Sequence, residues 1–137
     1  MNSIHDFEAR NMVRMALEAQ ERAYVPYSHF RVGACLKAAS GAYYLGCNIE
    51  NAAYTPTICA ERLAMFRAAY EGEREFEALA VVWDGDRAAM PCGVCRQVLS
   101  EFCKPDMPVI CALSAEEYKT FTLKELLPEA FGPGDLK

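Results

Sequence analysis

The sequence predicts an α/β fold, a three-layer α/β/α arrangement around a mixed five-stranded sheet. Three observations predict it. Helix-like and strand-like segments alternate along the chain after an opening hairpin. Residues 78–83 (ALAVVW) and 108–113 (PVICAL) are apolar without alternation, as strands covered by helices on both faces require. The hairpin pattern of residues 30–47 supplies antiparallel strands beside them, which makes the sheet mixed. The 137 residues suit a single domain, residues 1–137, because a chain of this size buries roughly 70% of the surface its unfolded form exposes.

The elements follow in order. From about Ser3 to Tyr24, the apolar residues Ala9, Met12, Val13, Ala16 and Leu17 recur at helical spacing. Arg10, Arg14, Glu18 and Glu21 are left for solvent, which predicts an amphipathic opening helix stopped by Pro26. Val32, Ala34 and Leu36 share one parity within residues 30–37, as a strand requires; Ser40-Gly41 turns the chain, and residues 43–47 return as the second hairpin strand. Asn48-Ile49-Glu50-Asn51 leaves the sheet as a polar loop whose composition, by itself, marks a turn. Thr55-Pro56-Thr57 offers cap and breaker chemistry ahead of a helix over residues 59–70 with Leu63, Phe66 and Ala69 on one face, ended by Glu71-Gly72. After the strand at 78–83, Asp84-Gly85-Asp86 turns the chain, and Pro91 opens a short helix marked by Val94, Val98, Leu99 and Phe102. The strand at 108–113 precedes an edge strand at 118–122 and a short helix at 123–127 that Pro128 closes.

Composition narrows the function. Lys and Arg number 14 against 19 Asp and Glu, a net charge of −5, and no basic run occurs, so the phosphate-neutralising surface of a nucleic-acid binder is not expected. No apolar run approaches the ~20 residues of a membrane span, so no membrane partner is expected. The amino end carries Asp6 and Glu8 where a signal peptide would be basic and then apolar, which makes the cytoplasm the expected location. Seven cysteines are an odd number spread through core-forming segments, which favours free thiols or metal ligation over a disulfide framework.

The chemistry concentrates in Cys59-Ala60-Glu61-Arg62 and Pro91-Cys92-Gly93-Val94-Cys95. Cys92 and Cys95, three apart at a helix start, fall about 60° apart and can grip one zinc ion, with Cys59 as a third thiolate from another helix. Two helix amino ends then favour the deprotonated thiols that ligation needs. Three protein ligands leave a fourth position for water, and Glu61 is the carboxylate placed to move its protons. Arg62, on the Cys59 side of its helix, offsets part of the thiolate charge. Two other uses of these residues stay open at this level: a Cys-x-x-Cys redox pair, or a closed structural zinc site completed by Cys47 or another thiol. Both leave Glu61 without a role.

Together with Tyr24-Val25-Pro26-Tyr27-Ser28-His29-Phe30, the loop Gly46-Cys47-Asn48-Ile49-Glu50-Asn51-Ala52-Ala53-Tyr54, and Arg96-Gln97-Val98-Leu99 after the second metal motif, the chain resembles the small homotetrameric zinc-dependent cytidine deaminases. The resemblance runs from about Tyr24 to Phe131. It implies one zinc ion per chain and hydrolytic deamination of cytidine or 2′-deoxycytidine in pyrimidine salvage. The same chemistry on a modified cytosine nucleoside or nucleotide is the alternative. It also implies that Asn48 and Glu50 hold the ribose hydroxyls, that Phe30 stacks against the substrate, and that backbone near Ala60 reads the base edge. Ala52, Tyr54 and Phe131 are implied to reach the site of a neighbouring subunit in trans. Three positions depart from the family pattern: Arg31 stands where proline is usual, Thr55-Pro56 replaces glycine or proline followed by leucine, and Met90 replaces serine or threonine. Arg31 is expected to be peripheral.

Overall fold

The structure is a computed structural model that describes residues 4–136. Five strands, β1 (Val32–Ala38), β2 (Tyr43–Cys47), β3 (Phe76–Trp83), β4 (Pro108–Ala112) and β5 (Tyr118–Thr122), form one sheet in the order β2-β1-β3-β4-β5. β3 and β4 run parallel and the other pairs antiparallel, so the sheet is mixed, as the two unbroken apolar runs and the hairpin predicted.

Helix α1 (Asp6–Gln20) covers one face, laying Ala9, Met12, Val13 and Ala16 on Cys35, Ala78, Ala80, Val82 and Ile110. Helices α2 (Ala60–Tyr70) and α3 (Gly93–Phe102) cover the other, where Ala64, Met65, Ala68 and Leu99 meet Ala34, Leu36, Leu79, Val81 and Val109. Successive β3 residues thus go to opposite cores, which is why its sequence cannot alternate. The short helix α4 (Leu123–Leu126) begins on a capping box in which the Thr122 hydroxyl and the Glu125 carboxylate satisfy each other's backbone N–H.

Two differences from the sequence reading have physical causes. The expected Ser3 start of the first helix lies outside the described residues, and its end comes at Gln20 rather than near Tyr24. Tyr24 is drawn off into an extended pairing, its N–H donating to Asn48 O and its carbonyl accepting from Glu50 N. In α2, the buried face is Ala60, Glu61, Ala64, Met65 and Ala68, not Leu63, Phe66 and Ala69. Small side chains win that face because α2 lies close on β2: a Cβ on Gly46 would stand 2.2 Å from Ala60 O and 2.7 Å from Ala64 N. Phe66 and Tyr70 point outward instead, 45% and 88% exposed.

Topology then sets the site. β2 and β3 are both antiparallel to β1, so they run the same way. The helices that follow them, α2 and α3, therefore begin at the same end of the sheet, and the two cysteine motifs meet there.

Candidate metal centre and active site

Cys59 and Cys92 are the N-cap residues of α2 and α3, both extended (φ −78°, ψ 155° and φ −70°, ψ 167°), and neither side chain caps its own helix. The two thiols are free to turn toward each other, and their sulfurs lie 3.8 Å apart. Cys95, one turn into α3, completes a group whose three sulfurs all lie within 4.8 Å of one another. Two sulfurs each about 2.3 Å from one tetrahedral ion stand about 3.8 Å apart, which the Cys59–Cys92 separation matches. No fourth thiol stands with the three among the described residues. Cys47 is a separate buried thiol that feels Arg22 and Arg67, which removes it from a closed four-cysteine site.

The charges support this donor set. The Cys59 thiol is pulled down to about 5 because its thiolate accepts hydrogen bonds from the Cys95 thiol, then from Arg62 and Cys92. That negative charge in turn holds the proton on Cys95, whose pKa rises. The bare cluster thus gives up its first proton readily and keeps the next, so a cation is the group that would complete it. Arg62 donates through one terminal nitrogen to Cys59 Sγ at 3.4 Å and Thr57 O at 3.3 Å, which places the guanidinium where the sequence expected it to balance thiolate charge.

Glu61 sits one residue inside α2 and is 4% exposed. Burial first, and then the Cys59 charge, raise its pKa to about 7, against a smaller opposing pull from its own backbone N–H and from Arg62. A carboxyl with a pKa near neutrality beside a thiolate cluster is matched to accept and return a proton.

A second group of predicted residues is tied together beside the first. Asn48 Oδ1 accepts from Val32 N at 2.8 Å and Asn48 Nδ2 donates to Phe30 O at 2.8 Å. Glu50 Oε1 accepts from the N–H groups of Tyr27 and Ser28 at 3.0 and 3.1 Å, and Glu50 Oε2 accepts from the Ser28 hydroxyl. These bonds hold the Glu50 carboxyl below the usual carboxylate range, the Ser28 hydroxyl contributing most. The loop therefore does the work of a turn, and each side chain keeps capacity for a further partner: one N–H on Asn48 and lone pairs on Glu50. Ala60 is fully buried, while Ala52, Tyr54 and Phe131 stand exposed in the single chain. Tyr54 is held at φ 63°, a left-handed conformation that a bulky residue rarely adopts, by a loop whose bonds include Asn51 N to Thr57 Oγ1. Thr57 is thus committed to the loop and not to capping α2.

Four residues that matter were not singled out in the sequence. Gly46 admits the first turn of α2; a glycine inside a strand marks such a close approach and was the available signal. Arg96 Nε donates to Pro91 O at 2.7 Å and Arg96 NH1 to Leu126 O at 2.7 Å, fastening the second cysteine turn to α4. Gln20 and Asp84 bond to Arg31, at the rim of the segment that carries Phe30.

The comparisons with known proteins agree with this geometry. Residues 7–111 match the family described as the cytidine and deoxycytidylate deaminase zinc-binding region. A cytidine deaminase of Sporosarcina psychrophila is 48% identical over 94% of this chain and 95% of its own length. One of Halalkalibacterium halodurans is 46% identical over 91% and 95%. The crystal structure of a cytidine deaminase from Burkholderia pseudomallei superposes with a TM-score of 0.85 at 41% identity, covering 88% of this chain and 97% of that one. With a zinc-fitting thiol cluster at two helix starts, and with relatives that match along nearly their whole length, the chain belongs to the zinc-dependent cytidine deaminase family.

Proposed function

We propose that this protein hydrolyses cytidine or 2′-deoxycytidine to uridine or deoxyuridine and ammonia. The observation that carries the reading is Glu61, a buried carboxyl set beside three converging thiols that do not need it as a ligand. Cys59, Cys92 and Cys95 would hold zinc, which would supply a Lewis acid able to make a water more acidic and so a better nucleophile for C4 of the cytosine, with ammonia leaving. Glu61 accepts the water's proton, passes it to ring nitrogen N3 of the cytosine, and carries the second proton to the departing amine. Arg62 keeps the thiolate charge from opposing the loss of the first proton. Phe30 offers its ring to the base, backbone near Ala60 reads the base edge, and the unused capacity of Asn48 and Glu50 takes the ribose hydroxyls.

Glu61→Gln tests the chemistry. The variant should fold and hold zinc at wild-type stoichiometry yet lose activity by about 10²- to 10⁴-fold. Equal conversion of cytidine by the two proteins would sink the mechanism. A panel of cytidine, deoxycytidine, cytosine and cytidine monophosphate, followed by ultraviolet absorbance, tests the sugar assignment, and a preference for the free base refutes it.

The reading extends to a single-domain chain that assembles as a homotetramer and acts in pyrimidine salvage in the cytoplasm. Phe66 and Tyr70 on α2, next to the open edge of β2, together with Tyr54 at 74% and Phe131 at 58% exposure, support assembly with Ala52, Tyr54 and Phe131 serving a neighbour's site. Seven free thiols support a reducing compartment. A light-scattering mass equal to one chain would contradict the assembly and the roles in trans.

A further inference from the structure

Residues 24–31 form a segment without helix or strand, and Phe30 near its end is 36% exposed. At the other end Tyr24 is pinned by its pairing with Asn48 and Glu50. His29, immediately before Phe30, sits at φ 58°, a conformation that persists only where the surroundings hold it. His29 N–H donates to Val25 O at 3.0 Å, and beyond Phe30 the segment ends on Arg31. Its Nε and NH2 grip Asp84 Oδ2 and Oδ1 at 3.0 and 3.2 Å as a two-pronged fork, and its own N–H donates to Asp84 Oδ2 at 2.9 Å. Its carbonyl accepts from Asp84 N at 3.1 Å and from Gln20 Nε2 at 3.1 Å, and its NH1 reaches Glu21 at 2.9 Å. Gln20 is buried and also donates to Asp84 Oδ1 at 3.3 Å, so the end of α1 backs the pair.

The consequence falls on Phe30. Asp84 directly follows Trp83, the last residue of β3, and the Phe30 ring meets the Trp83 ring edge to face, with centroids 5.6 Å apart and an interplanar angle of 74°. Both peptides of Phe30 are also fixed, its N–H by Ser28 Oγ at 3.0 Å and its carbonyl by Asn48. We propose that Arg31 and Asp84 form a positioning clamp that holds Phe30 edge-on to Trp83 for stacking on the substrate base, so that the clamp sets substrate affinity and leaves turnover alone. The inference rests on the stacking role given to Phe30 above. A ring that stacks equally on base and transition state changes KM and not kcat when it loosens.

The test uses the zinc-loaded protein and three variants. Arg31→Ala and Asp84→Asn should each raise KM for cytidine about three- to fivefold, the effect of one well-made surface ion pair, with kcat within twofold and zinc content unchanged. Phe30→Ala should raise KM tenfold or more. Trp83 is the single tryptophan of the chain, so its fluorescence reads the clamp directly: acrylamide quenching should increase in Arg31→Ala and Asp84→Asn. Unchanged KM and quenching in both clamp variants, alongside a raised KM in Phe30→Ala, would overturn the clamp and leave the stacking role standing. Unchanged KM in Phe30→Ala would overturn the stacking role and the clamp's part in affinity together.

Discussion

Gly46→Ala isolates the contribution of backbone placement to the site. The added methyl would lie 2.2 Å from Ala60 O, 2.7 Å from Ala64 N and 3.2 Å from Ala60 C, all main-chain atoms in the first five residues of α2. Van der Waals contact needs about 1 Å more than the shortest of these, and no side-chain rotation can supply it, so the turn itself must lift. That turn carries Cys59 at its cap and Glu61 one residue inside, and a displacement of about 1 Å at reacting groups costs on the order of 10²-fold in rate. Overpacking should cost stability by about 1–3 kcal/mol as well. Gly33→Ala is the matched control, because its methyl would strike Ala16 O at 2.0 Å and Gln20 N at 2.7 Å, a clash of the same kind against α1 on the opposite face. Urea unfolding should show comparable destabilisation in both variants. Zinc content and kcat of the folded protein should fall together in Gly46→Ala and stay within about threefold of wild type in Gly33→Ala. Equal kcat and equal zinc in the two variants would refute the claim that the approach of α2 to β2 positions the cluster.

Two further outcomes follow from the titrating groups. Burial pushes the Cys35, Cys103 and Cys111 thiols up to about 12, so little thiolate exists there at pH 8. In zinc-stripped protein, Ellman's reagent should label no more than three thiols quickly, and all seven only in denaturant; fast labelling of five or more would show those burial effects to be wrong. The Glu50 carboxyl has its folded pKa depressed, so its stabilising effect is fully present above its ordinary value of 4.5 and is lost as pH falls through the depressed value. The Tm difference between wild type and Glu50→Gln should therefore be largest near neutrality and shrink as the solution is acidified below about pH 4.5; a difference independent of pH would remove the carboxylate from the account.

The parts of the molecule legible in the sequence are those where few residue types can satisfy the demand. Three cysteines at metal spacing with a glutamate beside them have little other use, and the unbroken apolar runs of β3 and β4 admit no exposed face. Hydrophobic periodicity was ambiguous in α2, because Leu63 and Phe66 carry the period of a core face while the buried face is set by how closely Ala60 and Ala64 let the helix approach. The clamp was illegible for a different reason: Arg31 and Asp84 are 53 positions apart, and each alone reads as a solvated surface charge. Thr57 looked like a helix cap because its type suits one, but a loop that must hold Tyr54 in a left-handed conformation took its hydroxyl first.

The four-residue α4 has a complete capping box, whereas α2 and α3 begin on cysteines that make no side-chain cap bond, a deficit of about 0.5–2 kcal/mol each relative to serine or aspartate. Helix α1 also lacks a capping side chain, but Asp6 and Glu8 in its first turn offset the positive end of its dipole. Helix α3 has no acidic residue in its first turn, and the one in α2 is Glu61, whose raised pKa leaves it a weak counter-charge near pH 7. The group placed to supply negative charge at the α2 end is Cys59, whose thiol pKa is lowered by hydrogen bonds from Cys95 and Arg62. The departure from good capping and the stabilisation of the metal ligands are one feature seen from two sides, which places the local cost of this fold at the residues that bind zinc.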